Sequence, residues 1–464
     1  MAVFSCVFSI KCGPPDRSRL NRGTPNILIF LVDALRFDHL SQYGYPLATS
    51  PGLEEIASKS FKFTRAYSPA SWTVPSVASL FSGLAPQRHR SIFYKASLSS
   101  QIRTLAEALR GRGYLTAGFS ANLNISIKSN FAQGFDFFWD HKGKDLSYPD
   151  IDRLFREYES WRDSTETNRP LFLYFHIMNC HGPYLVPKEH QTKLFGRPPS
   201  SEFKYYGPMM KEILKHGELG LRKKVTFSLV SSLFEQYDTA IRYTTDRIAE
   251  FFNKHNQNNF LDESIIIFTS DHGEELFEHG GFSHGYSLYE EVIRIPLFIK
   301  MPAQAEGITI EAPVQLTDIF PTLLDIVGIA YDENIDGISI VPLLYHGNSE
   351  ARRRLVSTLE DRRLFFQVAL RKRCIARAII VKGEKLIHIV KNYEGLTNQR
   401  LLFRLSEDYL EQNDLSSTNP GLMINLCAAI EEETRKYRLG AFPRPPNGDF
   451  KDQVDVLRSL GYIR

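Results

Sequence analysis

The chain has 464 residues, of which 43% are hydrophobic, 23% charged and 12% aromatic. That usage excludes a disordered, collagen-like or disulfide-dense chain. The formal charge of +3 excludes a basic field strong enough to hold nucleic acid or an anionic membrane by electrostatics alone.

Residues 2–10 (AVFSCVFSI) are apolar but lack a basic start and a small-x-small cleavage site. They read as a ragged N-terminus, with an atypical export signal as the alternative. Residues 11–25 are polar and rich in Gly, Pro and Arg, so 1–24 form a lead-in. Residues 26–32 (NILIFLV) are a continuous apolar run, as in a strand buried on both faces of a parallel sheet. Residues 53–58 predict a short helix. Residues 75–82 (PSVASLFS) predict a helix that opens on Pro75 and stops at Gly83. Residues 102–112 predict an amphipathic helix closed by Gly113, and 114–120 the next strand. Residues 171–177 (LFLYFHI) predict another buried strand. A long helix over 227–254 follows, with Leu233, Tyr237, Ile241 and Ile248 at helical spacing. Residues 264–269 and 294–300 (RIPLFIK) predict two more strands.

Strands alternating with helices predict an α/β fold, a mostly parallel sheet sandwiched by helices. After residue 345 the pattern turns β-rich, with strands over 376–381 and 385–390. A helix over 421–437 and a Pro-rich linker (AFPRPPNG) follow. The expected organisation is a catalytic domain over 25–345 and a smaller C-terminal α+β domain over 346–464. Cys6, Cys12, Cys180, Cys374 and Cys427 are odd in number and show no zinc-ligand spacing. A reducing, cytoplasmic setting is the expectation. No apolar run approaches the ~20 residues of a membrane span.

Ligands of an α/β sheet bind beyond the carboxyl ends of its strands. The first strand ends in Asp33, and the strand at 264–269 ends in Ser270-Asp271-His272-Gly273. The strand at 171–177 is followed by His181-Gly182-Pro183-Tyr184. Thr73 stands just ahead of the helix that opens on Pro75. A lone Asp at a strand end is usually a cap, and Thr73 alone is an N-cap candidate. Their joint occurrence points elsewhere. Asp33, Asp271, His272 and the Thr73 hydroxyl form a candidate site for one divalent cation, with Ca, Mg, Mn and Zn all open. A cation on that hydroxyl lowers its pKa and makes it a nucleophile.

At these residues the chain resembles the sulfatase family of the alkaline phosphatase superfamily. Residues 26–45 (NILIFLVDALRFDHLSQYGY) are similar to the family's opening strand and metal turn. Residues 73–83 (TVPSVASLFSG) stand where sulfatases carry C/S-x-P-S-R, and His181 to Tyr184 match His-x-Pro-Tyr. Residues 269–285 resemble the second metal motif, and 284–296 (HGYSLYEEVIRIP) the catalytic Lys/His turn. Residues 318–328, 336–344, 403–415 and the terminal LRSLGYIR resemble the family's closing segments.

Four departures bear on the substrate. Sulfatases oxidise Cys or Ser to formylglycine, but the Cβ methyl of Thr73 permits only a ketone, so no formylglycine is expected. The motif's Arg is Val77. Where sulfatases carry Gly-Lys-x-His, this chain has Ser120-Ala121-Asn122-Leu123. The paired Asp-Asp is Asp33-Ala34. The remaining set resembles threonine-nucleophile relatives such as nucleotide pyrophosphatase/phosphodiesterases, phosphoethanolamine transferases and lipoteichoic acid synthases. In the phosphodiesterases an Asn contacts the phosphoryl oxygen, and Asn122 is the candidate substrate-binding residue here. His181 and His284 would flank the substrate, one donating to an oxyanion and one protonating the leaving oxygen. His89 is a candidate rim residue. His279 is left outside the site, because Glu278-His279-Gly280-Gly281 reads as a loop tip.

The expected function is metal-dependent hydrolysis of a small sulfate or phosphate ester, with Thr73 as nucleophile and a phosphoryl substrate favoured. The alternatives are a phosphoryl-group transferase and a non-catalytic sulfatase-like binding protein. No nucleic-acid partner is expected.

Overall fold

The computed structural model describes residues 24–92, 96–141, 150–184, 186–198, 226–332, 334–345, 350–370, 374–392 and 395–439. Nearly all of the N-terminal lead-in, the Pro-rich linker and LRSLGYIR lie outside the described residues.

The large sheet holds β1 (Ile27–Val32), β2 (Phe61–Tyr67), β3 (Leu115–Ser120), β4 (Phe137–Asp140), β5 (Leu171–Ile177) and β6 (Ile265–Thr269). A small hairpin follows, β7 (Glu275–Leu276) with β8 (Phe282–Ser283). β9 (Arg294–Lys300), β10 (Ile308–Ile310) and β11 (Val314–Gln315) return to the large sheet. Its order is β10-β2-β9-β6-β1-β5-β3-β4, with β11 also on β2. β1 is parallel to both of its neighbours, β5 and β6. Only β9 runs antiparallel to the strands beside it. The sheet is therefore mostly parallel, as expected.

Why β1 reads as an unbroken apolar run is visible in its packing. Ile27, Ile29 and Leu31 join one core layer, and Leu28, Phe30 and Val32 join the other. Successive side chains of a strand point to opposite faces, so a strand covered on both sides must be apolar throughout. The first layer holds helices Thr73–Ser82 and Ile319–Val327; the second holds Ile151–Asp163 and Phe227–His255. Among the described residues, no helix is long and apolar enough to cross a membrane.

β12 (Leu364–Leu370), β13 (Cys374–Val381), β14 (Glu384–Asn392) and β15 (Gly395–Arg404) form a smaller antiparallel sheet. One face packs on Tyr67, Leu288 and Ile293 of the large domain, and the other on helix Pro420–Leu439. The smaller C-terminal α+β unit is thus present. Helix Glu350–Asp361, past the expected division at 345, buries Leu355 and Leu359 in the large-domain core.

Charge as well as apolar packing joins the two units. Lys385 of β14 is fully buried, 3.0 Å from Glu290 Oε1 and 2.8 Å from Glu411 Oε1. Two carboxylates hold its ammonium charged against burial. His279, in the β7–β8 loop, has Nδ1 2.7 Å from Glu291 Oε1 and Nε2 3.1 Å from the Glu411 carbonyl. It also stacks on Tyr289, with centroids 3.6 Å apart. It lies in the loop between β7 and β8, but as an anchored residue and not a free tip, and with Glu275 and Glu291 it brings a second set of ligand atoms within 4.8 Å of one another.

Two outcomes follow from this junction. Lys385→Met should cost ~3–5 kcal/mol in urea unfolding, because two buried carboxylates would lose their common counter-charge. For His279, burial opposes the charged ring, but the Glu291 hydrogen bond outweighs it and raises the pKa to about 9. A raised folded-state pKa stabilises fully below the ordinary value of 6.5. That stability is lost as pH rises through about 9. Between these pH values the melting temperature should fall further in the wild type than in His279→Gln.

Candidate active site

The site forms where β1, β5 and β6 end side by side. Asp33 leaves β1, and its backbone N–H donates to Ile177 O at 2.8 Å, extending the pairing with β5. Two turns are then stitched together. Ala34, in a left-handed conformation (φ 58°), donates its N–H to Asp271 Oδ1 at 3.2 Å. The Ser270 hydroxyl accepts from Leu35 N at 3.0 Å and donates to Val32 O at 2.7 Å. The Tyr237 hydroxyl accepts from Arg36 N at 2.8 Å and donates to Ala34 O at 2.6 Å. Gly273 follows because its backbone runs against Glu291: a Cβ there would sit 2.0 Å from Glu291 O.

Thr73 opens helix Thr73–Ser82, and its side chain meets both turns. Thr73 Oγ1 is 3.4 Å from Asp33 Oδ2 and 3.3 Å from His272 Nε2. His272 Nε2 is 3.3 Å from Asp271 Oδ2 and 3.6 Å from Asp33 Oδ1. The four residues expected to surround a cation are therefore together and buried.

Their donors and acceptors do not balance without a cation. His272 Nδ1 lies 2.8 Å from the Gly273 carbonyl, which can only accept. Nδ1 therefore carries the hydrogen, and the Nε2 lone pair of the neutral ring faces the carboxylates. Asp33 Oδ1 and Asp271 Oδ2 are buried and have no hydrogen-bond partner. Converging lone pairs with so little hydrogen between them suit a divalent cation. The two carboxyls divide accordingly. Burial opposes ionisation of Asp33, but the His176 hydrogen bond and the His181 and His272 rings hold it well below the usual range. Burial and then the Asp33 charge push Asp271 up to about 7. A cation between them would remove that penalty.

Asn122 also joins the cluster. Its Nδ2 donates to Asp33 Oδ2 at 2.7 Å and lies 3.3 Å from Met178 Sδ. His181 and His284 stand together at the same end, ring centroids 4.9 Å apart, and His284 is 4.2 Å from His272. His181 Nδ1 is 2.7 Å from Gly182 O, and His284 Nδ1 is 3.1 Å from Glu274 Oε1. Burial pushes His284 down to about 4 and Glu274 up to about 7. Val77, Ala121 and Leu123 are buried and apolar, so those three places present no cation.

One expectation is corrected. His89 is not on a rim. It is fully buried, with Nε2 3.2 Å from Pro75 O and 3.1 Å from Ser79 Oγ, and it accepts at Nδ1 from Ser91 N. It braces helix Thr73–Ser82 from behind.

Two residues were missed in the sequence, His176 and Glu274. His176 Nε2 donates to Asp33 Oδ2 at 3.0 Å, while its Nδ1 meets the Tyr174 hydroxyl at 2.8 Å. Asp33, His176 and Asp271 bring ligand atoms within 4.8 Å of one another. The available signal was an imidazole inside the apolar run LFLYFHI, since a buried polar group demands a partner. Glu274 had a weaker signal, a carboxylate two residues beyond His272.

Comparison with known proteins agrees with this geometry. The family model described as Sulfatase matches residues 25–329. The chain belongs to the sulfatase family. It is a sulfatase-like ester hydrolase. A second family model, N-sulphoglucosamine sulphohydrolase C-terminal, matches residues 277–435, spanning the smaller sheet. The choline-sulfatase of Rhizobium meliloti is 26% identical over 376 residues, covering 70% of this chain and 72% of the relative. The arylsulfatase of Clostridium perfringens is 24% identical over 398 residues, covering 71% of this chain and 80% of the relative. Among solved structures, BT4656, in complex with its substrate D-glucosamine-2-N,6-O-disulfate, superposes with a TM-score of 0.70. It is 19% identical, and the match covers 90% of this chain and 98% of that one. The phosphonate monoester hydrolase of Agrobacterium radiobacter has a TM-score of 0.67 at 20% identity, covering 90% and 96%. At such identities the structural likeness shows the fold.

The purified sulfatase-family chain should hold about one divalent cation at this cluster by elemental analysis. Asp271→Asn or His272→Ala should abolish that binding. His176→Phe, which removes a donor from Asp33, should weaken it by roughly 10–100-fold in a chelator competition. Full occupancy in the Asp271→Asn, His272→Ala double variant would exclude this cluster as the metal site.

Proposed function

We propose that this sulfatase-family hydrolase cleaves its ester with the unmodified Thr73 hydroxyl as nucleophile. The observation that carries the reading is the Thr73 Oγ1 position, within 3.4 Å of both Asp33 Oδ2 and His272 Nε2. Asp33, Thr73, Asp271 and His272 would hold one divalent cation, which would lower the hydroxyl pKa and withdraw charge from the ester.

The remaining steps use the chain's own groups. Asp33 Oδ2 orients the Thr73 hydroxyl, whose lowered pKa would let it release its proton to solvent before attack. Oγ1 attacks the central sulfur or phosphorus, and the bond to the leaving oxygen breaks with its electron pair on that oxygen. The Asn122 amide can exchange its weak thioether acceptor, Met178 Sδ, for a non-bridging oxygen. His181 and His284 divide the remaining work, one toward a non-bridging oxygen and one toward the leaving oxygen. Water then hydrolyses the threonine ester.

The names of the relatives point to sulfate esters, and a phosphonate monoester hydrolase shares the fold. Two features favour a phosphoryl substrate here. Position 73 carries a residue that cannot become formylglycine. Val77, Ala121 and Leu123 stand where the resemblance places the cationic sulfate-binding side chains of sulfatases. Losing one donor to a transition-state oxygen costs roughly 3–4 kcal/mol, so two or three losses are severe for a sulfatase.

The test is a panel of nitrophenyl sulfate, phosphate, phosphodiester and phosphonate esters. Thr73→Ala should lose at least ~10³ in kcat on the preferred ester, as removal of a nucleophile does elsewhere. Thr73→Ser keeps the hydroxyl and should keep a substantial fraction of the activity. Peptide mass mapping should show unmodified threonine at 73. Equal activity of the Ser and Ala variants would eliminate Thr73 as nucleophile, and a preference for the sulfate would overturn the phosphoryl reading.

A further inference from the structure

Asn122 reaches Asp33 Oδ2 from the turn after β3, and which end of its amide points there decides what it can offer. Asn124 N, which can only donate, lies 2.8 Å from Asn122 Oδ1. That bond assigns the carbonyl end of the amide, so Nδ2 is the end beside Asp33 Oδ2 and Met178 Sδ. One backbone N–H, two residues on, thus sets the polarity of Asn122.

Residue 124 is held in turn by a hydroxyl. Its carbonyl oxygen lies 2.5 Å from Ser129 Oγ. Its side-chain oxygen is buried without a partner, so the backbone bonds are what fix it. The Ser129 hydroxyl accepts from Ser126 N at 3.1 Å and lies 3.0 Å from Ser126 Oγ and 3.1 Å from Ser126 O. It has one hydrogen to give, and of the two carbonyls in reach Asn124 O is the nearer. Asn122, Asn124, Ser126 and Ser129 are all buried. The turn is anchored from outside as well. Leu98 N donates to Ser129 O at 2.9 Å, and Ile127 N donates to Asp140 Oδ2, at the end of β4, at 2.9 Å.

We propose that Ser129 is a positioning residue for the hydrolysis: its hydroxyl holds the Asn124 backbone so that Asn122 presents Nδ2, and not Oδ1, to the transferring group. This rests on the role given to Asn122 in the Thr73 mechanism. An amide oxygen at that place would repel the non-bridging oxygen that the amide nitrogen stabilises. A donor fixed beforehand costs no reorganisation as charge develops. Without the Ser129 hydroxyl, Asn124 O and Ser126 N lose a partner in a buried place, and the turn must shift to recover one. No bond is made or broken at Ser129.

Single and double variants of the purified metal-loaded enzyme, assayed on the preferred ester of the panel, test this. Asn122→Ala should lose ~10²–10³ in kcat, as removal of a donor to a developing oxyanion does elsewhere. Ser129→Ala should lose at least ~10-fold in kcat with KM little changed. Ser129→Thr keeps the hydroxyl and should recover most of that loss. In the Asn122→Ala background, Ser129→Ala should slow the reaction no further, because it acts only through Asn122.

If Ser129→Ala fails to fold, Ser129→Cys, which keeps only a weak donor, should show the same dependence on Asn122. A merely structural serine would cost the same factor with and without the Asn122 amide, and that result would overturn the assignment. So would wild-type kcat in the Ser129 variants, or a loss that Ser129→Thr leaves unrestored. Failure of the Asn122 role shows separately, as wild-type kcat in Asn122→Ala.

Discussion

Everything at the carboxyl end of the sheet is arranged around one buried carboxylate. Asp33 Oδ2 receives hydrogen bonds from Asn122 and His176 and lies within reach of the Thr73 hydroxyl. Its other oxygen has no partner and faces His272. Such a division is costly for an isolated ion in a low-dielectric interior. It becomes favourable when the saturated oxygen fixes the group and the bare one meets a cation. Asn122 comes from the end of β3, His176 from β5 and Thr73 from a helix N-terminus, so three separate elements determine one carboxylate's orientation.

That arrangement constrains the backbone nearby. Hydrogen bonds from Ala34 to Asp271, and between Ser270 and both Leu35 and Val32, lock the two strand-end turns together. The Tyr237 hydroxyl closes the turn after Asp33 from the helix layer. Ala34 has a left-handed backbone, which costs a non-glycine residue roughly 1–3 kcal/mol and persists only when its surroundings over-determine it. Here they do, since its N–H and C=O are both committed. Pre-organisation of this kind fixes the turns that the Thr73 hydroxyl meets.

The smaller sheet is tied to the same framework. Glu290 and Glu291 lie just before β9, and the Glu291 backbone carbonyl packs against Gly273 beside His272. Glu290 accepts from Lys385 of the smaller sheet, while Glu291 meets His279. The smaller unit is therefore joined to the segment that packs against the His272 turn. The family model that matches residues 277–435 spans both sides of this junction.

Much of this was legible in the sequence. Unbroken apolar runs identified β1, β5 and β6, because strands covered on both faces have no polar side. Residues just past those strands, with Thr73, comprised the candidate metal cluster, because in a parallel sheet such positions converge on one edge. Sequence alone also determined that residue 73 cannot become formylglycine, since that depends only on the covalent structure of threonine. Other features were decided by tertiary structure. β2, β4 and helix Ile151–Asp163 went unpredicted, because their mixed patterns acquire meaning only against the layer that each one covers. His89, a rim candidate after Gly83, is folded beneath the helix by the turn that follows that glycine. His176 and Glu274 resemble ordinary strand and turn residues until β5 and the hairpin bring them against Asp33 and His284. A hydrogen bond depends on ångström-scale position and direction, and linear spacing carries neither across a separation of 143 positions.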